Sequence, residues 1–320
     1  MTGLQISATV EEFMRKPEFV QGSVFSYVEK NLMGLDLLPK INADGRSYTY
    51  YAEKTSMGSS TKKVKPKEVT ASSKFPEIEI TRMQSASGML NRKGYKAVLD
   101  RDAILLNKTD DLDRAMRHLG FWLAYDLNTD VFDTLTDGGT DDGVSHSDWS
   151  GADVNIIDEL RQTVNAMDRD GYAYSASDIY LNKDQWVELQ EYLFFTDYTS
   201  EKQNRLLGWP TPNGDTITIP GLGVDIVKAR AGIDAGSLLC LDNDNPAATY
   251  YYNVDPMYGS MDITYQAKVD GQVVTKTTQN PGLNVNIYME NDTRMLNIDA
   301  WMDYGIGMQE PYAALVGTGI

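Results

Sequence analysis

One cysteine, two histidines and no long apolar run are the scarcities of this 320-residue chain, and each removes a class of function. Cys240 alone cannot form an intrachain disulfide. It sits in the apolar stretch SLLCLDND with no histidine near it in sequence, so it reads as a small buried hydrophobe and not as a nucleophile, which fits cytosolic synthesis. His118 falls inside a helical pattern and reads as a surface or core-edge residue, while His146 falls in a loop. Either could seed a Ser/His/Asp triad, but there is no G-x-S-x-G elbow to carry the serine. No window approaches the ~18 apolar residues of a membrane helix, and the N-terminus has no apolar segment behind a basic start, so neither a membrane span nor a secretory signal is expected. GLG at 221–223 lacks a G-x-G-x-x-G continuation, which argues against nucleotide binding, and no cofactor is expected.

What the chain has in abundance is negative charge. Asp and Glu number 46 against 29 Lys and Arg, a formal net charge of -17, while 42% of the residues are hydrophobic, enough for a sizeable core. The length favours one elaborate domain or two lobes. A surface this acidic repels nucleic acid and anionic lipid as general ligands. The charge is also segregated: from Lys54 to Lys108 there are 12 basic residues against 5 acidic ones, a surplus of seven. This island includes STKKVKPKEVTASSKFPEIEI at 60–80. Large apolar residues are nearly absent from 54–74, so the segment cannot build a core of its own and needs a surface to lie on.

Hydrophobic periodicity divides the chain into blocks. Residues 8–33 carry Phe13, Phe19, Val20, Val24, Tyr27, Val28 and Leu32, an amphipathic stretch broken by Pro17 and ended by Gly34, which predicts an arm with one or two helical turns. SYTYYAEK at 47–54 and FPEIEITRMQSASGML at 75–90 predict two strands of a long hairpin with the lysine-rich segment at its tip. Residues 110–136 predict the longest helix. Thr109 is its N-cap, acidic residues fill its first turn, and Leu112, Met116, Leu119, Leu123, Leu127, Val131 and Leu135 recur at spacings of three and four. A Gly/Asp loop follows, then a second helix over 153–170, then a short strand, DIYLN, running into the helix KDQWVELQEYLFF. The last 110 residues are mostly alternating strands, among them DTITIPGLGVDIVKARAGI at 215–233, LNVNIYMEN and MLNIDAWMDYGIGM. The class is α+β.

Other patterns look like chemistry but read better as structure. Carboxylate neighbours are inevitable among 46 acidic residues, so they do not indicate glycoside hydrolysis. TYYYNVDPMYG at 249–259 could stack sugars, yet tyrosines in strands more often pack. DGGTDD at 137–142 and DNDN at 242–245 could hold calcium, but neither follows the spaced D-x-[DN]-x-[DN]-G loop with its closing Glu, and polar turns account for them better. No catalytic, cofactor or metal residues are predicted.

The order of the blocks resembles the major capsid proteins of tailed bacteriophages and related archaeal viruses, the Hong Kong 97-type fold. DIYLNKDQWVEL, TITIPGLGVDIVKA and the ending NIDAWMDYGIGMQEPYAALVGTGI carry the resemblance locally. It implies an α+β fold with an N-terminal arm at 1–45 and an extended two-stranded loop at 46–100. Mixed sheet-and-helix lobes, peripheral and axial, would fill 101–320 and include a spine helix at about 110–136. It implies a structural protein and not an enzyme: a major capsid subunit that self-assembles into pentamers and hexamers of an icosahedral shell. That shell would enclose the viral genome without sequence-specific DNA binding and without a membrane. The extended loop would lie over a neighbouring subunit, making Lys54, Lys62, Lys63, Lys65, Lys67 and Lys74 inter-subunit contacts. A basic loop over acidic neighbours gains steering and register, although each exposed pair adds only ~0–1 kcal/mol. Scaffolding, portal and decoration proteins are the further partners implied, with assembly in the host cytoplasm and the virion as destination. An acidic remainder would keep the inner wall from gripping packaged DNA.

Two departures from the family pattern bear on this expectation. Some members begin with a long scaffolding segment that is cut away; here the arm begins at once, so scaffolding is expected from a separate protein or not at all. Some members crosslink a loop lysine to an asparagine next door, and KKVKPK lies in the matching loop, but it reads equally as a solvated basic patch. Two alternatives remain: an encapsulin-type shell holding enzyme cargo and, from another class, a carbohydrate-binding or hydrolytic β-rich protein.

Overall fold

A computed structural model describes residues 17–52, 84–100, 109–151, 154–168, 174–195, 211–269, 272–290 and 295–320. The chain opens with helix α1 (Pro17–Asn31), then strands β1 (Lys40–Asn42), β2 (Ser47–Ala52), β3 (Gln84–Met89) and β4 (Asn91–Leu99). The long helix α2 (Thr109–Gly138) leads through β5 (Thr140–Asp141) to α3 (Ile156–Met167), β6 (Asp178–Leu181) and α4 (Lys183–Gln190). Then come β7 (Thr211–Asn213), β8 (Thr216–Thr218), β9 (Asp225–Lys228), β10 (Ser237–Leu241) and β11 (Ala248–Asn253). The last five strands are β12 (Asp262–Val269), β13 (Gln272–Gln279), β14 (Leu283–Met289), β15 (Leu296–Met308) and β16 (Ala314–Thr318).

Helix α2 forms where the spacing of its leucines predicts it. Asp110 and Asp111 in the first turn favour the positive end of the helix dipole, and all seven residues of the predicted stripe, Leu112 to Leu135, are buried. At 30 residues it is about 45 Å long. The stripe lies on a five-stranded sheet whose central strand is β15. Strand β4 pairs antiparallel along one edge of β15, from Leu296↔Leu99 to Tyr304↔Asn91. Strands β14 and β11 share the other edge end to end, and β1 adds parallel to β11. Alternation along β15 puts Leu296, Ile298, Ala300, Met302 and Tyr304 in the core with α2.

A second core forms around a seven-stranded sheet in the order β5-β16-β10-β6-β9-β8-β7. Ile179, Leu181, Trp186, Leu189, Leu238 and Cys240 meet there under α3 and α4. Asn155 caps α3 and Asn182 caps α4, each side chain accepting a backbone N–H of the first turn. DIYLNKDQWVEL is the expected strand running into a helix.

Three features depart from the sequence expectation. Pro17 is the first described residue of α1. The one or two turns expected become a 15-residue helix whose Val20, Val24, Phe25 and Val28 are buried with α2 and β12. The two elements come so close that a Cβ on Gly120 would stand 2.8 Å from the Val24 carbonyl oxygen. Strand β3 pairs with β2 from Ser47↔Met89 to Ala52↔Gln84, whereas Asn91–Leu99, inside the span expected as extended loop, belongs to the main sheet. The hairpin β12–β13, with Val269↔Gln272 as its last pair, has a signal that went unread: Asp270-Gly271 between two alternating runs.

Candidate assembly surfaces

The stem formed by β2 and β3 is rooted by tyrosines. Alternation sends Tyr48 and Tyr50 to one face of β2, where Tyr48 stacks on Tyr251 of β11 with ring centroids 4.3 Å apart and an interplanar angle of 13°. The Tyr48 hydroxyl donates to the Ile306 carbonyl at 3.1 Å. The rings lie over glycines of β15: a Cβ on Gly305 would stand 2.4 Å from the Tyr48 ring, and one on Gly307 2.9 Å from Tyr50. The alternating Gly-Ile-Gly of MDYGIGM is therefore a seat for two rings. Below the stem, Arg92 holds Asp303 through two bonds of 2.8 Å and lies over Trp301 at 5.0 Å. Arg92 and Asp303, with Arg46, Asn253 and Asp255, line a cavity of about 340 Å³ where stem and sheet meet.

Polar side chains fix α2 against both of its neighbours. Tyr95 donates to Asp126 at 2.6 Å, and this bond, then burial, pushes its pKa up to about 12. Lys93 donates to Asp130 at 2.7 Å, and Tyr304 donates to the other oxygen of Asp130. Buried Asn128 accepts from the Met33 and Gly34 amides at 3.0 and 3.1 Å and donates to the Asn31 carbonyl at 2.7 Å. It closes the C-terminal end of α1. The outward face of α2 carries what the leucine stripe does not account for: Phe121, Trp122 and Tyr125, 43%, 45% and 42% exposed. They fall between the stripe positions, and that offset is the sequence signal that would have found them.

The residues weighed as chemistry have structural occupations. Tyr250, Tyr251 and Tyr252 are 0%, 5% and 1% exposed, so TYYY is core and stem seat, not a platform open to a sugar. The Asp242 carboxylate accepts from the Ser175, Asp244 and Asn245 amides and from the Asn245 side chain, as a polar turn requires. Among the described residues no group of three or more His, Cys, Asp or Glu side chains is placed to hold a metal, and no helix is long and apolar enough to cross a membrane. Cys240 is fully buried, and burial pushes its thiol pKa up. His118 is exposed on α2.

His146, a loop residue weighed as the seed of a triad, has its side chain wholly buried between two carboxylates. Its Nε2 lies 2.8 Å from Asp142 and its Nδ1 3.5 Å from Glu159. Thr163 donates to Asp142 at 2.9 Å and the Trp149 indole to Glu159 at 2.8 Å. Burial disfavours the imidazolium, but Asp142 and then Glu159 outweigh it and raise the pKa above the usual 6.5. Burial likewise works against the Asp142 carboxylate, and bonds from His146, Val144 and Thr163 outweigh it to lower that pKa. Both ring nitrogens face acids, so neither is left as a base for a hydroxyl nucleophile. The cluster ties the 142–149 loop to α3.

The lysines predicted as contacts, Lys54, Lys62, Lys63, Lys65, Lys67 and Lys74, lie outside the described residues. The described frame around them is an α+β architecture in which a long helix crosses a sheet and a hairpin stem is rooted on that sheet's central strand. It is the Hong Kong 97-type fold, a class of shell-forming structural proteins. The virus-like particle from Pyrococcus furiosus shares it at a TM-score of 0.56 and 13% identity, over 93% of this chain and 96% of that one. The capsid protein of Cyanophage P-SCSP1u is similar at 0.54 and 11%, over 90% and 88%. The SrpI encapsulin from Synechococcus elongatus PCC 7942 is similar at 0.50 and 9%, over 88% and 85%. No curated protein matches the sequence. The chain belongs to the phage capsid protein family, whose model matches residues 86–317.

Proposed function

We propose that this chain is the major capsid subunit of an icosahedral shell that encloses a viral genome, built from pentamers and hexamers in the host cytoplasm. One observation carries the reading: the tyrosine-rooted stem. Strands β2 and β3 leave the main sheet as an antiparallel pair, and the 31 residues between them carry the six lysines Lys54, Lys62, Lys63, Lys65, Lys67 and Lys74. The root fixes the stem from which this segment departs, and the segment's positive charge fits the acidic remainder of a neighbouring copy. In this reading 46–90 is the extended loop, α2 the spine, and the residues ahead of α1 the arm. The acidic subunit body leaves packaged DNA free to move, and portal, scaffolding and decoration proteins are the partners of such a shell. An encapsulin holding cargo is not favoured, because the matching family model is that of phage capsid proteins and the likeness to an encapsulin is one of fold. Negative-stain microscopy with a sizing column tests the proposal. The full chain should give closed shells or rings of five or six, and deletion of 55–74 should abolish them while thermal unfolding stays cooperative. A deletion variant that still builds normal shells would refute the role given to the loop.

A further inference from the structure

The outward face of α2 reads in a definite order. Behind exposed Asp110 stand Arg114 and Arg117, then Phe121, Trp122 and Tyr125 occupy the middle, and Asp133 and Asp137 follow, all exposed. The aromatic side chains pack on one another, with Trp122 edge-on to Phe121 at 5.5 Å and to Tyr125 at 5.8 Å. Three aromatics exposed side by side on one helix mark a contact surface. At the acidic end Lys93 pairs with Asp130 and leaves Asp133 crowded by acids. Burial, then Asp130, Asp137 and Asp234, raise the Asp133 pKa, against a smaller opposing effect from Lys93.

Turned end for end, the row sets Arg114 against Asp133 and the aromatic centre on itself, so the inner part of this face is complementary to itself. The midpoint between Leu123 and Ala124 relates Arg114 to Asp133 and Trp122 to Tyr125. We propose that α2 is a self-pairing surface, on which a second copy of this chain lies antiparallel across a two-fold axis, aromatic centre on aromatic centre and Arg114 against Asp133. A two-fold contact uses the same patch on both partners, and this row meets that condition. The like-charged outermost pair, Asp110 and Asp137, lies about 20 Å from the axis, where the crossing angle of packed helices separates the ends. A groove of about 550 Å³ beside the N-terminal half, walled by Trp122, Tyr95 and Val98, gives the partner's ring a seat. The inference rests on the self-assembly reading above and adds the surface and its symmetry.

Charge reversal within one chain tests it. Arg114→Glu alone and Asp133→Arg alone should each lower the assembled fraction about tenfold at fixed protein concentration, measured by sedimentation velocity. Both changes in the same chain should restore it, because a two-fold contact brings each altered residue against its altered partner. Circular dichroism checks that these exposed substitutions leave the fold intact. As a second readout, Tyr125→Cys should give a disulfide-linked dimer in assembled material, since native Cys240 is buried and an introduced cysteine meets itself only near a two-fold axis. Wild-type chain that stays monomeric would overturn the self-assembly reading and the pairing together. Wild-type shells with neutral single reversals would overturn the pairing alone. So would a double reversal worse than either single, or sensitivity to Asp133→Arg but not to Arg114→Glu, which would mean that the acidic end receives a neighbour's lysines.

Discussion

Gly305→Ala should detach the stem from the main sheet, and the cost can be worked from the contacts. Gly305 does not use the left-handed backbone region, so the only objection to alanine is space. Its Cβ would meet the Tyr48 ring at 2.4 Å and the Tyr48 hydroxyl at 2.8 Å. The ring must swing away, giving up the stack on Tyr251 and the bond to the Ile306 carbonyl. An aromatic pair contributes about 0.5–1.5 kcal/mol and a hydrogen bond a similar amount, so the substitution should cost about 1–3 kcal/mol. In a Tyr48→Ala background the ring that opposes the Cβ is gone, and the same substitution should be close to neutral. The assay is a double-mutant cycle by urea denaturation, with particle formation scored in parallel. A coupling of about 1–3 kcal/mol, with fewer or misshapen particles from Gly305→Ala, is the expected result. If Gly305→Ala costs the same with and without Tyr48, the ring does not sit on this glycine, and the stem's fixed direction loses its physical basis.

Two further outcomes are expected. The cluster around His146 makes stability depend on pH from both sides. The raised His146 pKa gives a contribution that is complete below 6.5 and lost as pH rises through the folded value. The lowered Asp142 pKa gives one present above 3.8 and lost as pH falls through the folded value. Melting temperature should therefore be highest between these limits, and His146→Gln should flatten the alkaline side; an unchanged profile would count against the ion pairs. Asn128→Ala removes three bonds at the end of α1, leaves buried backbone groups without partners, and should cost about 2–3 kcal/mol in urea denaturation. A cost below about 0.5 kcal/mol would mean that water replaces the asparagine.

Much of the frame was legible in the sequence because local periodicity and burial coincide along its long elements. The stripe of α2, the alternation of β15 and the strand-helix step at DIYLNKDQWVEL each bury one face along their whole length, so the spacing of apolar residues reports them directly. The ends of α1 and β3 were less legible. How far the turns after Pro17 extend as a helix depends on what packs against them. The hairpin β12–β13 was missed although Asp270-Gly271 announced it, because one of its strands is exposed along nearly its whole length and carries no apolar stripe.

By itself, the sequence determined the α+β class, the helix that crosses the main sheet and the segregation of basic residues into one island. Each of these is written in neighbouring residues. Only the tertiary structure decided that Tyr48 seats on Tyr251 and Gly305, that His146 is held between Asp142 and Glu159, and that the aromatic centre of α2 faces outward between opposite charges. These depend on which elements lie against each other and which face is left uncovered, and one-dimensional spacing does not encode which faces meet.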